Sequence, residues 1–292
     1  MTHTIQPHIE FLICTLDEGV HQIKALLMPV QPRISYLVSW QHSAEQSESR
    51  INGSATTLAR KYPLPEWLKE RSDVRVVHLA GRGLSRNRNC ALSHAQGDWL
   101  VIADDDCRYG EQSIAHIYEA LNRHPDADIL QLQVHCPDGS PLRTYPATPY
   151  EYRNRPRFVY ISSCELVLRR QAALPRFDER FGLGAYLGCG EEELFVFQAS
   201  KQGLKVYYEP LHLVVTDGQT TGGKFAVSEP VQRAKGGLLT LIHGTMGALL
   251  RCFKYAFVYR TEGWGRRCSY FFQMIKGIVY VHTHHTLSLI HI

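Results

Sequence analysis

No C-x-x-C pair and no zinc-ligand spacing connect the eight cysteines, at positions 14, 90, 107, 136, 164, 189, 252 and 268. A zinc module or a redox dithiol is thereby excluded, and reduced thiols in a cytoplasmic protein are the expectation. No basic region followed by an apolar core opens the chain, so no signal peptide is expected and the site should face the cytosol. Internal repeats and low-complexity segments are also missing. Acidic residues are nearly absent from the last 60 positions: from Arg233 onward eight Lys or Arg face only Glu262, a net +7, while everything before sums to −3. A nucleic-acid binder would spread its basic residues through the folded body, so no nucleic acid is expected. A basic, apolar tail points instead to an anionic membrane surface. What remains is ordinary globular composition, 44% hydrophobic and 21% charged over 292 residues, enough for one large domain or a domain with an appendage.

Apolar runs alternate with helical patterns through the first hundred residues. His8 to Leu16 reads as a buried strand ending in the turn Asp17-Glu18-Gly19, and Ile34 to Trp40 as a second strand. Val20 to Met28 between them is helix-like and closed by Pro29 and Pro32, so the spacing suggests a parallel βαβ unit. Val74 to Leu79 is a third strand, Ser85 to Ala95 a helix, and Trp99 to Ala103 a further strand. Open α/β sheets bind ligands at strand C-terminal ends, and these runs end in small or polar residues. Further on, Glu111 to Arg123 fits an amphipathic helix, Ile129 to Val134 a half-buried strand, and Val159 to Leu168 another. Pro137 to Pro156, rich in proline, arginine and tyrosine, is expected to be a mobile loop over a site. Glu191 to Gln202 reads as a helix and Leu204 to Tyr208 as a strand. The first hundred residues look like a nucleotide-binding half, and the expected division is 1–106, 107–228 as the second half of the same domain, and 229–292 as a basic, apolar helical tail.

Three consecutive aspartates, Asp104, Asp105 and Asp106, follow directly on the apolar strand 99–103. Adjacent carboxylates repel and cost desolvation energy, and a bound divalent cation relieves both while seating a diphosphate. On an extended backbone Asp104 and Asp106 point one way and Asp105 the other. An acidic turn stabilised by a helix dipole is the plain alternative. Upstream, Gly81 to Asn89 holds a glycine entry, Ser85 as a helix cap and the arginines 82, 86 and 88, a stretch able to hold a diphosphate through amides and guanidinium groups. Downstream, Gly182, Gly184, Gly188 and Gly190 lead into Glu191-Glu192-Glu193, which can supply a general base for an acceptor hydroxyl. Thr216-Asp217-Gly218 follows a further expected strand, LHLVV, and Asp217 could complete a metal shell. His282, His284, His285 and His291 read as a polar tail rather than a metal site.

Taken together, the stretches 83–92, 97–109, 177–195 and 203–210 resemble the family 2 inverting glycosyltransferases of the GT-A fold, particularly bacterial surface-polysaccharide enzymes. The resemblance runs from about Ile9 to Gly222. It implies an α/β fold with a mixed, mainly parallel central sheet flanked by helices, followed here by a C-terminal helical membrane-associating segment. Asp104 and Asp106 would form the D-x-D element that bridges ribose and metal, with Asp105 beside the donor. Thr15 and Asp17, Gln41, and Arg86 with Asn89 would contact base and phosphate. The base falls in the Glu191-Glu192 pair, Glu192 being favoured. Members often carry a histidine where Asp217 stands here, so a third metal ligand there would be a carboxylate.

The implied activity is Mn²⁺- or Mg²⁺-dependent transfer of a sugar from a nucleotide diphosphate sugar to a hydroxyl of a glycan or lipid-linked acceptor, with inversion. The expected location is the inner face of the cytoplasmic membrane as a peripheral protein, with homo-oligomerisation left open. In the tail, Leu239, Ile242, Met246, Leu249, Phe253 and Ala256 make one apolar stripe, and Arg251 with Lys254 argue against a spanning helix. Packing on the core or on a dimer partner is the competing reading of that stripe. A sugar-phosphate nucleotidyltransferase would need a glycine-rich basic loop after strand one, where TLDEGV stands. A non-catalytic nucleotide-sugar-binding protein of the same fold is the remaining alternative.

Overall fold

The computed structural model describes residues 6–43, 55–217 and 221–284. Gly218, His285 and His291 lie outside the described residues. An eight-stranded sheet is assembled from β1 (Ile9–Leu16), β2 (Ile34–His42), β3 (Val74–Ala80), β4 (Trp99–Asp104), β5 (Ile129–His135), β6 (Tyr150–Glu151), β7 (Leu166–Arg169) and β8 (Val206–Val215), in the order β3-β2-β1-β4-β7-β5-β8-β6. β3, β2, β1 and β4 pair in parallel, as do β5 and β8, while β7 runs antiparallel to both β4 and β5. The mixed, mainly parallel sheet expected from the sequence is thus present.

Seven of the eight β1 residues are buried, the continuous apolar burial of a strand covered on both faces. Phe11, Ile13, Tyr36, Val38, Val101 and Ala103 alternate onto one face and form the main core with Ile114, Ile117 and Leu121 of α4 (Glu111–Arg123). The other helices are α1 (Ala55–Lys61), α2 (Glu66–Lys69), α3 (Leu84–His94), α5 (Glu191–Lys201), α6 (Glu229–Lys254) and α7 (Trp264–Thr283).

Four local expectations are corrected. Val20–Met28 forms no α-helix: 3₁₀ turns at Asp17–His21 and Ile23–Ala25 fill the connection instead. Ser85 is the second residue of α3 rather than its cap, and its hydroxyl donates to the Phe181 carbonyl at 2.6 Å. The strand expected from Val159 shrinks to Leu166–Arg169, after a 3₁₀ turn at Ser163–Glu165. The strands expected at Leu204–Tyr208 and at LHLVV are one continuous strand, Val206–Val215, whose ladder with β5 bulges around Pro210, which has no N–H to donate.

The chain divides into two compact units, one of residues up to 82, 87–175 and 199–218, the other of 83–86, 176–198 and the residues from 219 onward. The first holds the whole sheet. In the second, Ala234, Leu238 and Leu241 of α6 and Val281 of α7 pack with Phe181, Leu187 and Leu194. α6 and α7 touch backbone to backbone: a Cβ at Gly236 would overlap the Met274 carbonyl, and one at Gly277 the Arg233 carbonyl. α6 breaks at Gly244, whose φ of 72° and ψ of 167° leave the helix. The apolar stripe foreseen for the tail is split by this packing. Ala248, Cys252 and Ala256 are buried with Tyr270, Met274 and Ile278, whereas Met246, Leu250 and Phe253 are exposed.

Candidate functional site

In the first unit, β1 and β4 place Thr15 and the aspartate triplet at their C-terminal ends. Extended backbone stops at Asp104, and Asp105 and Asp106 are a turn, so the strict alternation that would aim Asp104 and Asp106 alike no longer applies. Each carboxylate takes its own partners. Asp104 accepts from Arg88 Nη2 at 2.8 Å and from Ser163 Oγ at 3.3 Å; Arg88 is 1% exposed and also donates to Ser163 Oγ at 2.6 Å. Asp105 Oδ2 accepts from Thr15 Oγ1 at 2.7 Å. Asp106 Oδ2 lies 3.5 Å from Thr216 Oγ1 and within electrostatic reach of Asp217.

These environments leave a signature on proton affinity. Burial first, then the negative charges of Asp104, Asp105 and Asp217, raise the Asp106 carboxyl above the usual carboxylate range. Burial also raises Asp105, against the Thr15 hydrogen bond. Among the described residues no three His, Cys, Asp or Glu side chains converge as a metal shell. A mutually repelling Asp106 with Asp217 nearby fits a hard cation that takes one or two carboxylates and fills its remaining positions from diphosphate oxygens and water.

Asp17, expected beside the nucleotide, adopts φ 48°, a left-handed conformation that aspartate tolerates better than most residues. Its carboxylate accepts from Ser43 N at 2.8 Å and Ser43 Oγ at 2.5 Å, and its carbonyl accepts from Trp40 Nε1 at 2.8 Å. Burial opposes ionisation there, but the Ser43 hydrogen bonds with Arg82 and His42 outweigh it and hold the carboxyl below its ordinary value. Gln41 is buried at the end of β2, and its Nε2 has no hydrogen-bond partner among the described residues. Asn89 is buried on α3, one turn from Arg86, which belongs to the second unit.

Beside these residues stands an aromatic stack that no motif in the sequence announced. His42 lies flat on Tyr62 with ring centroids 3.8 Å apart and meets His78 Nδ1 through its Nε2 at 2.9 Å. Trp40 and His42, two apart at the C-terminal end of β2, were the available signal. A second feature is an open cleft of about 570 Å³ lined by Gln133, Arg143, Tyr145 and Pro146, within and beside the loop expected over a site. Under it Glu165, fully buried, accepts from Tyr145 Oη at 2.7 Å and Gln131 Nε2 at 2.8 Å. Burial raises the Glu165 carboxyl, against the opposing pull of Arg143 and these donors. Ring faces beside amide and guanidinium donors suit a polyhydroxylated ligand.

In the second unit the loop Phe181–Gly190 delivers the glutamate run. Gly182 and Gly190 have φ of 102° and 90°, the left-handed region where a side chain strains the backbone. A Cβ at Gly182 would press on Ser85 Oγ and on the Glu191 carboxyl, and one at Gly188 would run into Pro230. The Gly190 carbonyl accepts from Leu194 N at 3.1 Å and opens α5. Glu191 is 6% exposed, whereas Glu192 and Glu193 are half-buried, so Glu192 is the more accessible of the two candidate bases.

Residues 57–173, which include the aspartate triplet, match the family model Glycosyl transferase family 2. The succinoglycan biosynthesis protein ExoM of Rhizobium meliloti (strain 1021) is 23% identical over 214 residues. That alignment covers 70% of this chain and 64% of ExoM, so the chain spans just under two thirds of that relative's length. The crystal structure of S. aureus TarS 1-349 shares the fold, with a TM-score of 0.54 over 92% of this chain and 80% of that one at 14% identity.

Proposed function

We propose that this glycosyltransferase of family 2, folded as a GT-A enzyme, moves a sugar from a nucleotide diphosphate sugar to a hydroxyl of a surface-polysaccharide intermediate, with inversion and with a divalent cation. The observation that carries the reading is the carboxylate cluster at the end of β4, inside the family-matched segment, with Asp106 held above its ordinary proton affinity by burial and its acidic neighbours. The role of ExoM in succinoglycan biosynthesis supports the polysaccharide setting.

Asp106 and Asp217 would hold Mn²⁺ or Mg²⁺, which when bound neutralises charge developing on the departing diphosphate. Arg88 holds and orients the Asp104 carboxylate, leaving it able to accept from a ribose hydroxyl through its remaining lone pairs. Thr15, Asp105, Asp17 and Gln41 form the nucleotide side, and the Gln41 amide, without a partner among the described residues, is a donor suited to a base carbonyl. Arg86 and Asn89 serve the phosphates. Glu192 takes the acceptor proton as the hydroxyl oxygen attacks the anomeric carbon from the face opposite the nucleotide, so no covalent intermediate forms.

The tail would bring the protein to its acceptor. Helix Glu229–Tyr259 is long and apolar enough by length and composition to cross a membrane. Its break at Gly244 and the exposed Arg251 and Lys254 favour lying in the interface instead. Met246, Leu250, Phe253 and Trp264 would then contact an anionic inner leaflet, at the cytoplasmic face.

The test is a panel of nucleotide diphosphate sugars incubated with the protein, with nucleoside diphosphate release measured in Mn²⁺ and in EDTA. Release from one or more donors in Mn²⁺ and none in EDTA is expected. Equal release in EDTA refutes the cation's role, and no binding of any donor refutes the activity.

A further inference from the structure

Lys235 sits on the first half of α6, in the second unit, and is surrounded in a way its packing does not require. Its Nζ lies 4.0 Å from the centre of the Tyr255 ring. Tyr255 meets Phe225 edge to face at 4.9 Å, Phe225 meets Tyr270 at 5.3 Å, and Arg260 covers the Phe225 and Tyr270 rings at 5.4 and 5.5 Å. Two cations therefore share one aromatic trio. The nearby acid, Glu262, is committed to Arg260. Among the described residues no carboxylate pairs with Lys235.

A half-buried ammonium without an anion is costly, and a ring face recovers only part of the lost hydration. A leucine or methionine would fill the same space without that penalty. Burial lowers the Lys235 proton affinity, and Arg260 pushes it the same way. The neighbourhood is informative as well. Cys189, between Gly188 and Gly190, feels both Lys235 and the α5 carboxylates: burial, then Glu192 and Glu191, push its thiol up to about 12, while Lys235 opposes them. Cys189 packs on the same cluster as Phe225, Tyr255 and Tyr270, and a Cβ at Gly190 would touch Leu238 at 3.4 Å, so the first half of α6 lies against the residues that lead into α5, which carries the proposed base.

We propose that Lys235, steadied by Tyr255 and flanked by Arg260, seats the phosphate of a phosphorylated acceptor, so that the acceptor carries its anionic group only a short distance from the hydroxyl it presents to Glu192. The inference rests on the transferase reading and narrows its acceptor to a short sugar on a phosphate or diphosphate. A lysine suits this role because its compact charge binds phosphate without demanding one fixed geometry. The phosphate could belong to a polyprenyl diphosphate-linked sugar or to a soluble sugar 1-phosphate. The exposed Met246, Leu250 and Phe253 on the same helix favour the lipid form.

The test combines Lys235→Met, Lys235→Arg and an exposed control, Lys276→Met. Inorganic pyrophosphate is titrated calorimetrically into full-length protein carrying Glu192→Gln, without donor. Saturable binding that weakens at least tenfold in Lys235→Met, persists in Lys235→Arg and is unmoved in Lys276→Met is expected, with a thermal midpoint for Lys235→Met equal to or above the parent. Kinetically, Lys235→Met raises KM at least tenfold for polyprenyl diphosphate-linked sugar in vesicles and leaves donor KM unchanged. A comparable rise with soluble sugar 1-phosphate, and no use of the vesicle substrate, would assign the seat to soluble acceptors and overturn the lipid source. Unaltered pyrophosphate binding, or a change in donor KM alone, overturns the seat itself. Should Lys235→Met not fold, Lys235→Gln takes its place. The titration needs no turnover, so an inactive protein that binds pyrophosphate through Lys235 would refute the transferase reading while leaving the anion seat standing.

Discussion

Two runs of three consecutive acids, Asp104–Asp106 and Glu191–Glu193, solve the same electrostatic problem with different backbones. The aspartates close a strand, and the turn after Asp104 fans their carboxylates toward Arg88 and Ser163, toward Thr15, and toward Thr216 with Asp217. The glutamates open a helix, where successive residues diverge by the helical pitch and the unsatisfied amides favour negative charge. One run is held by specific partners, one for each acid. In the other, Glu191 is buried against the loop and Glu192 is half-buried at the start of the helix. Two like runs of acids therefore carry different chemistry: the strand end gives each carboxylate its own surroundings, while the helix start leaves Glu192 and Glu193 more accessible than Glu191.

Variants that break this contrast should differ in what they remove. Glu192→Gln keeps shape and removes the base, so transfer should fall about 10³-fold while donor affinity by titration stays within about twofold; full turnover would transfer the role to Glu191 or beyond. Arg88→Met strips the buried partner from Asp104 and should cost roughly 3–5 kcal/mol of stability, read from denaturant midpoints. A near-neutral result would mean that Asp104 is not held by partnership. Asp106→Asn should lower Mn²⁺-stimulated turnover about 100-fold and weaken Mn²⁺ affinity, with little loss of stability because its carboxyl is already disfavoured as an anion. The smallest effect concerns Glu165, a buried acid outside both runs. Burial holds its carboxyl above the ordinary value of 4.5, so its contribution to stability is fully present below about pH 4.5 and is lost as pH rises through the folded value. Between those two values wild-type stability should fall by at most about 1.4 kcal/mol per pH unit through this group, and Glu165→Gln should lack that decline. A matching pH slope in both proteins, read from denaturant midpoints across the range, would show that Glu165 titrates normally.

Strands buried on both faces and the strongly amphipathic helix Glu111–Arg123 were legible in the sequence, because continuous burial and a 3.6-residue period each leave an unambiguous pattern. The failures share a cause in tertiary context. Val20–Met28 has helical composition, but the short connection is taken up by two 3₁₀ turns, with Val20, Ile23, Leu26 and Met28 all buried in the core. Ser85 looked like a cap because a glycine entry precedes it, yet its hydroxyl is used by the Phe181 carbonyl, 96 positions away. The break expected between the strand ending at Tyr208 and the strand LHLVV is a bulge inside one strand. At the site, the chemistry of the aspartates was legible and their directions were not, since alternation holds only while the backbone stays extended. The stack of His42 on Tyr62 was invisible because it joins β2 to a residue twenty positions later with no shared motif.

The reciprocal glycine contact between α6 and α7 sets where this molecule can vary. With Gly236 against the Met274 carbonyl and Gly277 against the Arg233 carbonyl, any side chain at either position forces the helices apart. That crossing is a fixed clasp, closed to substitution on both sides. The outward-facing positions beyond it, among them Met246, Leu250, Phe253 and Phe272, bear no such constraint. Mutational drift is thereby channelled to the outer surface of the tail, so its affinity for a surface or substrate can be retuned one side chain at a time without loosening the joint that holds it.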